Sequence, residues 1–188
     1  YLLFLDADVR VGNGLIVNAV SYAKHFRLAM ISIFPKQIIK TFGEKITVPN
    51  MNYILLSLLP LILVRKLGFS SLAAANGQFM LFDSKIYRTY GLHEKMKSKR
   101  VEDIEIARYL KNRKEKIACL VGDSSIQCRM YSGFEEAVNG FSKNVCAFFG
   151  NSVIIATLFW LITTFGFLVV LIELPLLFFS GFMVAFIL

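Results

Sequence analysis

Two rhythms of apolar and polar positions alternate along this chain. Leu2 to Leu5 and Leu28 to Phe34 are short, nearly unbroken apolar runs, as expected of buried strands. The second is closed by Pro35. Between them, Gly12-Asn13-Gly14 supplies a turn and Ile16 to Phe26 reads as a helix. This strand–helix–strand order predicts an α/β sheet. Small residues then lead into Asn76-Gly77-Gln78, followed by another strand, with Gly77 suited to a turn or to close approach of a ligand. Asp83 is placed to cap a short helix, Lys85 to Tyr90, that stops at Gly91. Glu94 to Arg100 reads as a basic loop. Strands are expected at Ile117 to Val121 and Ile126 to Tyr131. Gly133 to Phe148 reads as an amphipathic helix, with Phe134, Val138, Phe141, Val145 and Phe148 on one side.

The stretch Val101 to Lys111 is the pivot of the pattern. Val101, Ile104, Ala107 and Leu110 recur every three residues, which predicts one apolar helix face. Glu102 and Asp103 fall in its first turn, where the positive end of the helix dipole favours carboxylates. Such acids commonly serve only as caps. A base held at the rim of a cleft is the functional alternative.

Two segments are too apolar for a soluble α/β domain. Residues 48–67 hold an uncharged core, Tyr53 to Val64, interrupted by Pro60. That core is shorter than the roughly 20 residues a spanning helix needs. It suits a core helix or, as the favoured expectation, an interfacial segment with Arg65 and Lys66 among lipid headgroups. Ser152 to Ile172 is uncharged and long enough to span a bilayer. Glu173 and Pro175 mark a turn, and residues 174–188 begin a second apolar run. The expected domains are therefore residues 1–147, catalytic in character, and a transmembrane region, residues 148–188.

Charge sharpens this division. All 21 Lys and Arg lie in residues 1–147, which carry 12 of the 13 acids and a formal charge of +9. Only Glu173 is charged after that point, and the mean hydropathy of the whole chain is +0.59. A basic domain beside an uncharged tail suits a membrane surface or phosphate-bearing substrates, with the basic part cytosolic. No zinc-finger spacing or RNA-recognition motif supports a nucleic-acid partner. Cys119, Cys128 and Cys146 lack paired spacing and read as reduced, buried thiols. His25 and His93 are too few for a histidine metal cluster and read as surface or packing residues.

Asp6-Ala7-Asp8, at the end of an apolar strand, is a hard-oxygen pair suited to Mg²⁺ or Mn²⁺. A metal there would clamp a nucleotide diphosphate as leaving group, and Asp103 would take the proton of an attacking hydroxyl. Two other readings use the same residues. A haloacid-dehalogenase-type phosphatase also places DxD after a strand, and Gly122-Asp123 would suit its later acidic motif, but Arg10 and Gln127 break the pattern. A membrane-anchored interaction protein would use the acids only as caps.

Taken as a set, Asp6-Ala7-Asp8, Asn76-Gly77-Gln78, Glu102-Asp103 and the run from Cys128-Arg129-Met130-Tyr131 to Gly140-Phe141-Ser142-Lys143-Asn144 resemble the membrane-bound family 2 glycosyltransferases. The nearest branch is the bacterial lipid-type enzymes, similar to carotenoid-acid and hopanoid-associated glycosyltransferases and, more distantly, to ceramide glucosyltransferase. The resemblance implies a GT-A fold and inverting transfer from a nucleotide-sugar donor to a lipid acceptor. It assigns Asp6 and Asp8 to the metal and donor diphosphate, and Asp103 to the general base with Glu102 in support. Asn76, Gly77 and Gln78 would line the sugar and acceptor pocket, and Lys143 would contact the donor. Processive relatives carry Gln-x-x-Arg-Trp where this chain has Gly140 to Asn144, with no Trp and with Lys in place of Arg, which implies transfer of a single sugar. The resemblance also places a nucleotide-binding half before the DxD strand, and that half is not among these residues. The expected location is a bacterial plasma membrane, with the catalytic domain cytosolic.

Overall fold

The computed structural model describes residues 1–49, 60–99, 101–149 and 152–166, except for the side chains of residues 143–148. Two compact units divide the chain, Tyr1–Ser142 and Lys143–Leu188.

A four-stranded sheet forms the core of the first unit. Its strands are β1 (Leu2–Leu5), β3 (Met30–Phe34), β5 (Phe79–Phe82) and β6 (Ile117–Val121), in the order β1-β5-β3-β6. β5 runs antiparallel to both β1 and β3, while β3 and β6 are parallel. The carboxyl ends of β1, β3 and β6 therefore share one edge of the sheet with the amino end of β5. Each of those three strands turns there into a shorter one: β2 (Val9–Val11), β4 (Lys36–Gln37) and β7 (Ile126–Cys128). These form a second sheet in the order β2-β7-β4, with β7 antiparallel to β2 and parallel to β4.

Both faces of the main sheet are covered, so its strands are apolar at consecutive positions, as a doubly buried sheet requires. On one face, Ile31, Ile33, Phe79, Leu81 and Ala118 pack against α1 (Leu15–Phe26) through its small residues Ala19 and Ala23. On the other, Met30, Met80, Phe82, Ile117 and Cys119 meet Val64 of α3 (Leu61–Lys66), Leu92 of α5 (Leu92–Met96), and Ile106, Ala107 and Leu110 of α6 (Glu102–Asn112). Between α3 and β5 a single 3-10 turn spans Ser70–Leu72.

Several expected elements appear with shifted edges. The helix expected at Lys85 to Tyr90 is α4 (Ser84–Tyr90): Asp83 accepts hydrogen bonds from the amides of Lys85 and Ile86, and Gly91 ends it at φ 58°. Part of the expected basic loop is helical instead, as α5. In α6 the buried positions are Ile106, Ala107, Leu110 and Lys111; Ala107 and Leu110 belong to the expected three-residue series, whereas Val101 and Ile104 are only half-buried. A strict period of three drifts off a face that turns every 3.6 residues, so the stripe re-centres on i, i+1, i+4 and i+5. The Lys111 ammonium is buried on that face and donates to the Leu67 carbonyl (2.9 Å), and its burial lowers its pKa.

Residues 42–49 are helical, as α2, and reach into the apolar segment 48–67, in which α3 packs Val64 into the core; residues 50–59 lie outside the described part. The strand expected from Ile126 to Tyr131 ends at Cys128. The amphipathic helix appears as α7 (Phe134–Phe148), but Phe134 and Val138 are exposed while Ala137 is buried. In the second unit, residues 153–166 form an uncharged helix, α8. Among the described residues no helix is long and apolar enough to cross a membrane, and residues 167–188, which hold the rest of both expected spans, lie outside them.

Candidate active site

The shared edge of the sheet gathers motifs that lie far apart in sequence. Asp6-Ala7-Asp8 is the turn between β1 and β2, and Asn76-Gly77-Gln78 leads into β5. These two strands pair with Leu5 opposite Phe79, so the backbone continues the ladder and the Asp6 amide donates to the Gln78 carbonyl (3.3 Å). The DxD turn is thereby held beside Gln78.

Asp103 arrives from the other side. It stands in the first turn of α6, and its Oδ2 accepts a hydrogen bond from the Gly77 amide (3.0 Å). A Cβ at Gly77 would stand 3.9 Å from that same carboxylate oxygen, in ordinary van der Waals contact. Oδ1 accepts from the Ile104 amide (2.8 Å). The carboxyl is half-buried, and burial raises its pKa above the ordinary value despite the amides that favour its charge; the Glu102 charge pushes in the same direction. A carboxylate that holds a proton more readily than usual is better matched to removing one from a hydroxyl. Glu102 is exposed next to it, and its charge also helps raise the Tyr87 phenol, whose larger cause is burial.

A polar chain joins the two sides. Asn76 is fixed by Ser32, whose hydroxyl accepts from its amide (2.7 Å) and donates to its carbonyl (3.0 Å). The Asn76 side chain accepts from the Gln78 amide (2.8 Å). The Gln78 side-chain amide donates to the Cys128 thiol sulfur (3.0 Å), and that thiol donates to Asp8 Oδ2 (3.0 Å). Cys128 is fully buried, and burial, with the Asp8 carboxylate next in effect, pushes its thiol up to about 12. It therefore stays protonated and remains a donor to Asp8. Gln37 of β4 donates to Gln78 Oε1 (3.3 Å) and to the Pro35 carbonyl (3.2 Å).

Asp6 and Asp8 are both exposed, which leaves them accessible to a ligand. Partial burial and the neighbouring Asp8 charge raise the Asp6 carboxyl. Repulsion of this kind is relieved when a divalent cation binds between two carboxylates. Among the described residues no group of three or more His, Cys, Asp or Glu is placed to hold a metal ion. The pair fits a hard cation that draws its remaining ligands from water and phosphate oxygens, as Mg²⁺ commonly does.

Tyr131 lies within electrostatic reach of Asp8. Its ring meets Phe141 edge-on at 4.9 Å, and a methyl group at Gly140 would overlap its hydroxyl. Its phenol is raised by burial first, then by the Glu136 and Asp8 charges. Arg129 pairs with Glu44 (2.8 Å), a fully buried carboxylate that also accepts from the amides of Lys40 and Thr41.

The structure thus brings together Asp6, Asp8, Asn76, Gly77, Gln78 and Asp103. Lys143 falls in α7, and its side chain is outside the described ones. Cys128, Ser32, Gln37 and Tyr131 were given no role by the sequence. Cys128 and Tyr131 lie in the run quoted for the resemblance, whereas Ser32 and Gln37 carry no local signal. Asp123 closes its own turn by accepting from the Ser125 amide and hydroxyl, and follows the strand at the opposite edge of the sheet from Asp6. His93 packs against Phe4 and bonds the Tyr87 hydroxyl, and Cys119 and Cys128 are free and buried; Cys146 is outside the described side chains. No known protein family, curated protein or solved structure matches this chain.

Proposed function

We propose that this site belongs to a GT-A glycosyltransferase of the membrane-bound family 2 type. It transfers a single sugar from a nucleotide-sugar donor to a hydroxyl or carboxyl of a lipid-like acceptor at the cytosolic membrane face. The observation that supports this most is the seating of Asp103 on the Gly77 amide, with Gln78 and Cys128 carrying the connection on to Asp8. A base and a diphosphate-side carboxylate are then parts of one hydrogen-bonded assembly.

In this reading Asp103 accepts the proton of the acceptor hydroxyl as its oxygen attacks the anomeric carbon. The bond from that carbon to the diphosphate breaks, and the nucleoside diphosphate leaves with the electron pair. Attack opposite the leaving group inverts the anomeric centre. Mg²⁺ or Mn²⁺ held by Asp6 and Asp8 would supply the charge that stabilises the leaving group. Asn76, Gly77 and Gln78 line the sugar and acceptor side, Glu102 supports the base, and Lys143 contributes to donor binding. The apolar tail holds the domain at its lipid substrate, as an integral protein of a bacterial plasma membrane.

Membranes carrying the whole protein, supplied with labelled UDP-glucose or another nucleotide-sugar and Mg²⁺ or Mn²⁺, are expected to pass label into the lipid extract. Asp103→Asn is expected to lower that rate about a hundredfold or more, the usual contribution of a general base. Equal labelling by both proteins would remove Asp103 from the role. Normal function of Asp103→Asn with no labelling from any donor would favour the non-catalytic interaction protein.

A further inference from the structure

A cavity of about 310 Å³ opens at the same edge of the sheet, between the ends of β3 and β6. Its walls are mainly apolar, from Phe34, Ile39, Val48, Leu61 and Val121, with Gly122 at the strand end. Gly122 is under steric constraint: a Cβ there would run into the Ile126 side chain and stand 3.0 Å from the Phe34 carbonyl oxygen. A smaller cavity of about 190 Å³ shares Leu61 and Val121 and continues along β6 past Ala118 and Leu120. β6 is an edge strand, so this apolar groove runs along the outer margin of the sheet.

Gln37 connects the cavity to the candidate active site. It lines the cavity and donates through Nε2 to Gln78 Oε1. Its orientation is set, because Nε2 also donates to the Pro35 carbonyl and a flipped amide would place oxygen against two acceptors. Gln78 adjoins Gly77, on whose amide Asp103 rests. A ligand with its apolar part in the cavity would meet Gln37, one hydrogen bond away from Gln78.

We infer that this cavity binds the hydrocarbon chain of the acceptor, a linear lipid alcohol whose hydroxyl faces Asp103. The inference rests on the lipid-acceptor reading of the site and adds where the chain lies. Its volume is near the lower end for ligand pockets, so it takes the part of the chain next to the hydroxyl and not a whole lipid. Such a pocket would select acceptors by the shape of the first carbons of the chain.

The test is photolabelling of the whole protein in lipid nanodiscs. The probe is a long-chain alcohol with a diazirine on a carbon near its hydroxyl, and adducts are mapped by mass spectrometry. Adducts are expected on peptides that hold residues 34–39, 48–49 or 121–122, with loss on competition by the unlabelled alcohol. Val121→Trp, at an exposed strand end, and Leu61→Trp should each fill the cavity and abolish those adducts. Adducts confined to residues 153–188, or unchanged in both tryptophan variants, would overturn the inference. Cavity adducts without sugar transfer would keep the pocket and sink the transferase reading; transfer without cavity adducts would do the reverse.

Discussion

At the scale of single residues, Asp103 and Cys128 matter most. The Asp103 pKa is raised, so its carboxyl favours the folded state while protonated. That contribution is complete below the unfolded value near 3.8 and is lost as the pH rises through the higher folded value. Asp103→Asn does not titrate, so although its amide can accept from only one of the two backbone N–H groups, it is expected to gain in melting temperature on the parent as the pH rises, in melting curves taken across that range. A transfer rate that depends on ionised Asp103 should fall as pH drops through the same raised value, giving an acid limb above pH 3.8. Cys128 touches Asp8 with a donated proton and Gln78 with its sulfur. Cys128→Ala removes both links. By analogy with partners that orient metal ligands, it should raise the Mg²⁺ or Mn²⁺ concentration for half-maximal activity about 10–100-fold. An unchanged metal requirement would leave Cys128 as packing alone. The Glu-Asp pair and DxD were visible in sequence because their residue types announce oxygen chemistry. Gln37 and Ser32 were not, because their roles come only from strands placed beside them.

Among elements, α2 is held by an arrangement that local sequence partly encodes. Thr41 and Glu44 form a reciprocal cap: the Thr41 hydroxyl accepts from the Glu44 amide (3.3 Å), and the Glu44 carboxylate accepts from the Thr41 amide (3.1 Å). Arg129, just after β7, completes the set. The Lys40 amide, followed by the Arg129 guanidinium, holds Glu44 down from 4.5 to about 2. A depressed carboxyl stabilises the fold above the unfolded value and loses that effect as pH falls through the folded one. Glu44→Gln is therefore expected to lower the melting temperature at pH 7, with the difference narrowing between pH 4.5 and about 2. Equal melting of both proteins at pH 7 would show that the buried pair adds nothing. Helices such as α1 and α4 were legible from their caps and periodicity. The buried face of α6 was only half legible, since a three-residue spacing and the true 3.6-residue turn agree at Ala107 and Leu110 but part at Val101 and Ile104.

For the whole molecule, the proposed reading needs attachment to a membrane. The uncharged run Ser152 to Ile172 predicts that the whole protein stays with the membrane pellet through an alkaline carbonate wash, and release into the supernatant would overturn the integral assignment. Within the first unit, the decisive feature is strand direction. β1, β3 and β6 point the same way and β5 returns against them, so the residues after three strands and before a fourth must meet at one edge. The crevice outside strand carboxyl ends is where open α/β sheets bind ligands. Residue type and spacing alone marked the main buried strands, the ends of α4, the division into a basic part and an apolar part, and the acids able to do chemistry, because these depend on neighbours along the chain. Strand order, the contact of Asp103 with Gly77, the link from Cys128 to Asp8 and the cavity beside Gln37 were decided only by the tertiary structure. Each is a meeting of residues at least 26 positions apart, or a space between them, and local sequence carries no information about which distant strand will become a neighbour.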